Sequence, residues 1–340
     1  MKVELPGIGH WRHDLGHCLH ATAGVLLRFH GADPLDVLGA GWGFGYRAGD
    51  VRREEYYFPC ARGSLFASIA PHHAVTSRWH EPVDAEAGWR EVRDAVASGR
   101  PVAVAADNYH LPFRPAYGDV HTNHLLVVHG FDDERGVALV ADSVPPRFLG
   151  EITIADLTAA RDSANPVRHD RDLFFTDRPI GNRWLEVSVD GPLDPPDRDR
   201  LREVLAANLA GFAGEGDGGP DYLGLPGTRR FLADAATRLR EHDPAAVDEV
   251  FVVAGVVLAV TGLHGDHLAA TGRRLGDTAL VELAREVDRV AHHWSAVRIA
   301  VAAGRADPSG AARTLDARAT ALLADHERAL TGLEGFLGRG

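Results

Sequence analysis

Lysine is almost absent from this sequence: Lys2 is the only one, so nearly all of the 36 basic residues are arginine. Acidic residues number 48, which leaves a formal net charge of -12. A chain with that balance has no basic face for nucleic acid, and an acidic partner would need a local arginine patch. Cysteine is nearly as scarce, with Cys18 and Cys60 alone. Two cysteines cannot staple a disulfide scaffold, and they fit a reducing compartment. Long apolar runs are missing too. The longest, Val250 to Val260, is too short to cross a bilayer and reads as a buried helix. The opening residues MKVELPGIGHW lack the apolar stretch of a secretion signal. We expect a soluble cytoplasmic protein with no membrane and no nucleic-acid partner, and the Ala, Arg, Gly and Asp bias is that of a high-GC bacterium.

Core-forming residues are present in ordinary amounts. Hydrophobic residues make up 45% of the 340 positions and charged residues 25%, enough for two domains each with its own core. The Pro- and Asp-rich stretch from Gly191 to Asp199 marks the boundary, giving domains 1–190 and 191–340. Upstream, helical and strand patterns mix. Downstream, helical spacing runs through Leu201–Phe212, Gly227–Glu241, Ala245–Gly262, Gly276–Ala303 and Ala311–Leu337, so the second domain is expected to be all-α.

The chemistry centres on His10 to Gly31, HWRHDLGHCLHATAGVLLRFHG. After a Gly16-His17 break, Ala21, Thr22, Val25, Leu26 and Phe29 recur at helical spacing, and His30-Gly31 ends the run. Cys18 then lies in the first turn, where unpaired N–H groups and the helix dipole favour a thiolate. Taken alone, such a cysteine is as readily a buried core residue. Cys60, in FPCARG with no histidine at motif spacing, reads as structural.

A base for Cys18 is found downstream. PVAVAA from Pro101, LLVVH from Leu125 and VALVAD from Val137 read as strands, the last two joined by a turn near Asp133-Glu134. Antiparallel pairing about that turn gives residue numbers summing to about 267 and places His124 nearly across from Asp142. The carboxylate would hold one imidazole nitrogen and leave the other free, the base-plus-orienter pair that a thiol nucleophile requires. Other features stay open between two roles. Trp42, Phe44 and Tyr46, interleaved with Gly39, Gly41, Gly43 and Gly45, form either a substrate wall or core filling. Asp107 and Tyr109, just past a strand, either cap a turn or, on a family resemblance, position an acceptor amine. His10, His13, His17 and His20 around Cys18 suggest a metal site, but the Gly16 break keeps them off one helical face, so no metal is expected.

GHCLHATAGVLLRFHG, AGWGFGY, AADNYHLPF, HTNHLLVVHGFDDE and VALVADS resemble, one after another, the N-terminal domain of the butirosin biosynthesis protein H family. PDYLGLPGTRRFLADAATRL and Arg273-Arg274, followed by a helix with Trp294, resemble the helical domain fused to it. The resemblance implies an α+β, papain-like (C39-peptidase-like) cysteine-enzyme domain with an antiparallel sheet, followed by an all-α domain that lids the cleft or docks a carrier protein. It implies an acyltransferase that takes an acyl group from the phosphopantetheine arm of an acyl or peptidyl carrier protein, through an acyl-Cys18 intermediate, to a small-molecule amine in antibiotic-type biosynthesis. No other cofactor is implied. Cys18 matches the nucleophile, His124 the base and Asp142 the orienting acid. Arg12 stands where papain-like peptidases carry an oxyanion-hole glutamine, leaving Arg12, His13 and Asn123 as candidates for the second oxyanion donor beside the Cys18 N–H. Arg229, Arg230, Arg273 and Arg274 are candidates for docking an acidic carrier. A second copy of the chain is a further candidate partner. Two rival readings share the site: a papain-like cysteine hydrolase acting as peptidase, amidase or thioesterase, and a non-catalytic small-molecule-binding module.

Overall fold

The computed structural model describes residues 1–47, 64–168, 178–191, 193, 195–214 and 221–339. Cys60 lies outside them. The chain is α+β and divides into two compact units, a sheet-bearing unit and a helical one.

The first unit is built on a seven-stranded antiparallel sheet. Its strands are β1 (Lys2–Glu4), β2 (Val75–His80), β3 (Val102–Asp107), β4 (Asn123–Asp132), β5 (Val137–Asp142), β6 (Phe148–Thr153) and β7 (Trp184–Val189). They run in the order β2-β7-β3-β4-β5-β6, with β1 added to β4. Three helices belong with the sheet: α1 (Cys18–Phe29), α2 (Ala85–Ala97) and α3 (Ile154–Arg161). Asp84 and Thr153 start α2 and α3 with side-chain caps, and α2 stops at Ser98-Gly99. A core of Val92, Val96, Val104, Leu126, Val128, Phe131, Val140 and Leu157 fills the space between α2, α3 and the sheet. β3 and β4 are buried over almost their whole length, as continuous apolar runs require.

Among the described residues, β4 changes register against β5 at one place. Near the turn, Asp132 pairs with Val137 and Gly130 with Leu139, numbers that add to 269. Past a bulge between Val128 and Gly130, Val128 pairs with Val140 and Val127 with Ala141, which add to 268. The bulge lies where β3 hands over to β1 as neighbour of β4: β3 reaches Val128, and β1 begins opposite Gly130. Gly130 is required there, because a Cβ would fall 2.4 Å from Leu139 Cδ1 and 2.7 Å from the Val3 carbonyl.

The second unit is helical: α4 (Arg198–Ala213), α5 (Gly224–Arg240), α6 (Pro244–Leu275), α7 (Thr278–Ala302) and α8 (Pro308–Leu337). α6 runs well past the Gly262 end expected from sequence. Gly265 and Gly272 do not break it, because their missing side chains let the chain of α7 approach; a Cβ on Gly272 would meet Val281 Cγ2 at 2.8 Å. By length and composition α6 would span a membrane, yet 78% of its most apolar window is packed inside the protein.

The unit boundary at Leu193 falls within the expected linker, but the division at 190/191 needs a correction. The segment from Leu35 through the strand Gly45–Arg47 belongs to the helical unit, and so does Ser68–His73. Gly45–Arg47 pairs with Asp221–Leu223 in a two-stranded ribbon of that unit. Gly39 explains part of the attachment, since a Cβ there would strike His267 Cβ and the Leu263 carbonyl of α6.

Candidate active site

α1 begins at Cys18, with His17 as its N-cap, and ends at His30, with Gly31 at φ 82°. The helix is buried on every side from Leu19 to Leu27, not along one stripe, and Phe29 is half-buried. Two contacts fix it in place. Thr22 Oγ1 donates to the Leu125 carbonyl of β4 at 3.0 Å. Gly24 takes the face of Trp11, so close that a Cβ would lie 2.0 Å from the ring. Trp11 is tied in turn to Ser143, the residue after Asp142, by an N–H bond of 3.2 Å to Ser143 Oγ. The helix start, the loop before it and the end of β5 are thereby locked together.

His124 and Asp142 meet on adjacent strands, with His124 Nε2 2.7 Å from Asp142 Oδ2. Both side chains are buried. The other ring nitrogen, Nδ1, serves the Cys18 sulfur, with which His124 is hydrogen-bonded. Burial alone would hold the half-buried Cys18 thiol neutral, but hydrogen bonds and charge from His124 and His17 outweigh it and bring its pKa down to about 6. Burial also opposes charging of His124, and the Asp142 carboxylate with Cys18 overcomes it, raising the imidazole to about 9. At neutral pH the pair is a thiolate and an imidazolium.

Asp142 stays ionised for reasons visible around it. Burial pushes its carboxyl up, while His124, Arg114 and the Val144 N–H hold it below the ordinary carboxylate value. Arg114 Nη1 lies 3.2 Å from Oδ2 and also donates to the Val144 carbonyl at 3.0 Å. The Val144 N–H bonds Oδ1 at 2.9 Å. Arg114 and His17 are the site residues that sequence reasoning missed. His17 was grouped with the other histidines as a metal pattern. Arg114 carries no local signal, because only the folded loop brings it to Asp142.

The remaining candidates fall elsewhere. Arg12 is half-buried on the loop before α1, and the His13 ring accepts from the Leu15 N–H within that loop. Asn123 is half-buried at the first position of β4, opposite Asp107. The Asp107 carboxylate is fully buried and is not placed to receive a substrate amine, because four internal donors occupy it: the N–H groups of Tyr109 and Thr122, His121 Nδ1 and Ser163 Oγ. Tyr109 stacks on His121 at 4.1 Å between ring centroids. These residues close the loop between β3 and β4.

Trp42, Phe44 and Tyr46 are core filling of the helical unit. Trp42 lies between the rings of His264 and His326, Phe44 stacks on Trp294, and Tyr46 packs against Tyr222 and Phe231. Of the four docking arginines, Arg229 pairs with Glu327, Arg230 lies over Tyr222 near Asp234, and Arg274 binds Asp36 at 3.1 Å. Arg273 is exposed in the last turn of α6. Among the described residues, no group of three His, Cys, Asp or Glu side chains is arranged to hold a metal ion.

Residues 17–143 match the family model described as butirosin biosynthesis protein H, N-terminal. This part of the chain is similar to that family's N-terminal domain. The match opens at His17 and closes just past Asp142, so the family domain contains the whole Cys18–His124–Asp142 relay. No curated protein matches the chain.

Proposed function

We propose that the protein is a cysteine-dependent acyltransferase with a papain-like arrangement of Cys18, His124 and Asp142, acting in the biosynthesis of an antibiotic-type secondary metabolite. The observation that carries this reading is the relay itself: a helix-start sulfur with a lowered pKa, hydrogen-bonded to an imidazole that a buried aspartate holds at 2.7 Å. The family match, named for a biosynthesis protein, favours transfer over degradation.

In the first half-reaction the Cys18 thiolate attacks the carbonyl carbon of an acyl thioester carried on a phosphopantetheine arm. The tetrahedral oxyanion is met by the Cys18 N–H, left without an intrahelical partner at the start of α1. Collapse breaks the donor C–S bond, and the departing thiolate takes the Nδ1 proton of His124. In the second, an amine attacks the acyl-Cys18 carbonyl, gives a proton to His124 Nδ1 and expels the Cys18 thiolate. Thioester-to-thioester exchange is nearly neutral and amide formation runs downhill, so the cycle calls for no ATP and no metal. Arg273 is the arginine of the original four best placed to meet an acidic carrier protein.

Intact-protein mass spectrometry tests the reading. Incubation with acyl-loaded carrier protein should add the acyl mass to the wild type and not to Cys18→Ala, and an added amine should discharge it as the amide. Discharge by water at the same rate with or without amines would make the protein a hydrolase. Absence of any acyl mass would leave a binding module.

A further inference from the structure

We propose that His17 is a second imidazole acting on the Cys18 sulfur: its Nδ1–H donates to Sγ, holding the thiolate before it attacks and again when it leaves. This rests on Cys18 being the nucleophile.

The first observation is where the ring sits. His17 is the N-cap of α1, a position that favours Ser, Thr, Asp or Asn because a short side chain can accept from the free N–H groups of the first turn. Six other helices here begin in that way, at Asp84, Thr153, Asp197, Asp243, Asp277 and Asp307, each accepting a backbone N–H. His17 makes no capping bond. α5, begun at Leu223, also lacks a side-chain cap, but Leu223 has no polar side chain to offer, whereas the His17 ring is polar and turns to the sulfur instead of to the helix; local rules are most often broken at functional sites.

The second observation is what the ring touches. His17 hydrogen-bonds the Cys18 side chain independently of His124. Its Nε2 is buried and without a partner among the described residues, so the sulfur bond falls to Nδ1. The ring packs edge-on against His20, with centroids 4.4 Å apart. Burial first, then the charge of His17 and His13, push the His20 pKa well below its usual value, so His20 acts as a neutral wall that fixes the ring. The groups that bear on His17 are therefore Cys18 and His20 on α1, His13 on the loop before it, and His124 on β4 backed by Asp142.

Two imidazoles on one sulfur divide the work. His124 has the carboxylate partner that a proton carrier needs. No acidic partner is recorded for His17 among the described residues, and it lies on the sulfur itself, which suits a donor that stabilises negative charge without moving the proton. Its effect is felt twice in a cycle: on the nucleophile before attack, and on the same sulfur as leaving group when the amine displaces it.

The test is the pH profile of Cys18 alkylation by iodoacetamide in a Cys60→Ser background, with wild type, His17→Phe and His17→Ser compared. Phe keeps the ring volume and Ser keeps a good N-cap, so at least one variant retains the helix start, and near-ultraviolet circular dichroism identifies which. Each folded variant should shift the midpoint upward by about one pH unit, with about a fivefold slower reaction near pH 6. A folded variant whose profile superimposes on wild type overturns the role of His17. A wild-type midpoint in the ordinary thiol range would instead remove Cys18 as an activated nucleophile, so the two failures are distinguishable.

Discussion

His124 and Asp142 meet two rungs out of register. The pairing of Val127 with Ala141 places Asp142 opposite Leu126, yet Asp142 Oδ2 lies 2.7 Å from His124 Nε2. A diagonal contact of this kind needs both residues on one face of the sheet, and the face is decided by parity. Near the turn the paired numbers add to 269, which would set His124 and Asp142 on opposite faces. The bulge between Val128 and Gly130 changes the count to 268 and brings them to the same face. One extra residue in β4 therefore makes His124 and Asp142 neighbours.

Asp142→Asn should keep this geometry and remove the charge. The amide oxygen can still accept from Nε2, but nothing then favours the imidazolium, so the His124 pKa should fall from about 9 and the Cys18 pKa should rise from about 6. The alkylation midpoint of Cys18 should move up, and the proposed amide-forming turnover should drop about a hundredfold or more. Turnover within a few-fold of wild type would show that His124 does not depend on the carboxylate.

Gly24→Ala should destabilise the protein although Ala is the better helix former by about 1 kcal/mol. The new methyl would lie 2.0 Å from Trp11 Cε3 and 2.5 Å from Cδ2, deeper than a rigid indole can yield. The expected net cost is about 1–3 kcal/mol, seen as a lower melting temperature. Because Trp11 also holds Ser143 beside Asp142, the alkylation profile of Cys18 should shift as well. A Trp11→Leu partner substitution should recover part of the loss, since the two positions touch and their effects cannot add independently. An unchanged melting temperature in Gly24→Ala would show that Trp11 is not seated on the helix.

Local signals made much of this legible in the sequence. The start of α1 at Cys18 and its end at His30-Gly31 follow from Gly16, the apolar spacing and the terminal glycine, all within a few residues of one another. Cys18, His124 and Asp142, which the structure brings together, could be picked out because each sits at an element end that composition marks. The register was beyond reach by one residue, because a bulge opposite an ordinary strand leaves no periodic trace. Long-range relations were also hidden. Nothing near Trp42 announces that its partners are His264 and His326, more than two hundred residues later, or that Arg114 closes on Asp142. β2 went unread because the sequence of Val75–His80 alternates too weakly to stand out.

The same buried histidines should make the helical unit acid-sensitive. Burial brings the His326 pKa from 6.5 to about 4, and burial with the charge of His267 brings His264 to about 3. Below pH 6.5 the unfolded chain takes up protons that the folded one refuses, so stability is full above that pH and falls as the pH drops toward the folded values. Between pH 6.5 and 5 each histidine should cost about 2 kcal/mol, at about 1.4 kcal/mol per pH unit. Calorimetric melting at pH 7 and pH 5 reads the loss as a drop of several degrees. His326→Phe places a non-titrating ring against Trp42 and Phe212, the neighbours His326 already has. The variant should keep the neutral-pH melting temperature to within a few degrees and show a drop about half as large. A drop equal to that of wild type would assign the acid sensitivity to other groups, and no drop at all in the wild type would mean that these imidazoles reach solvent.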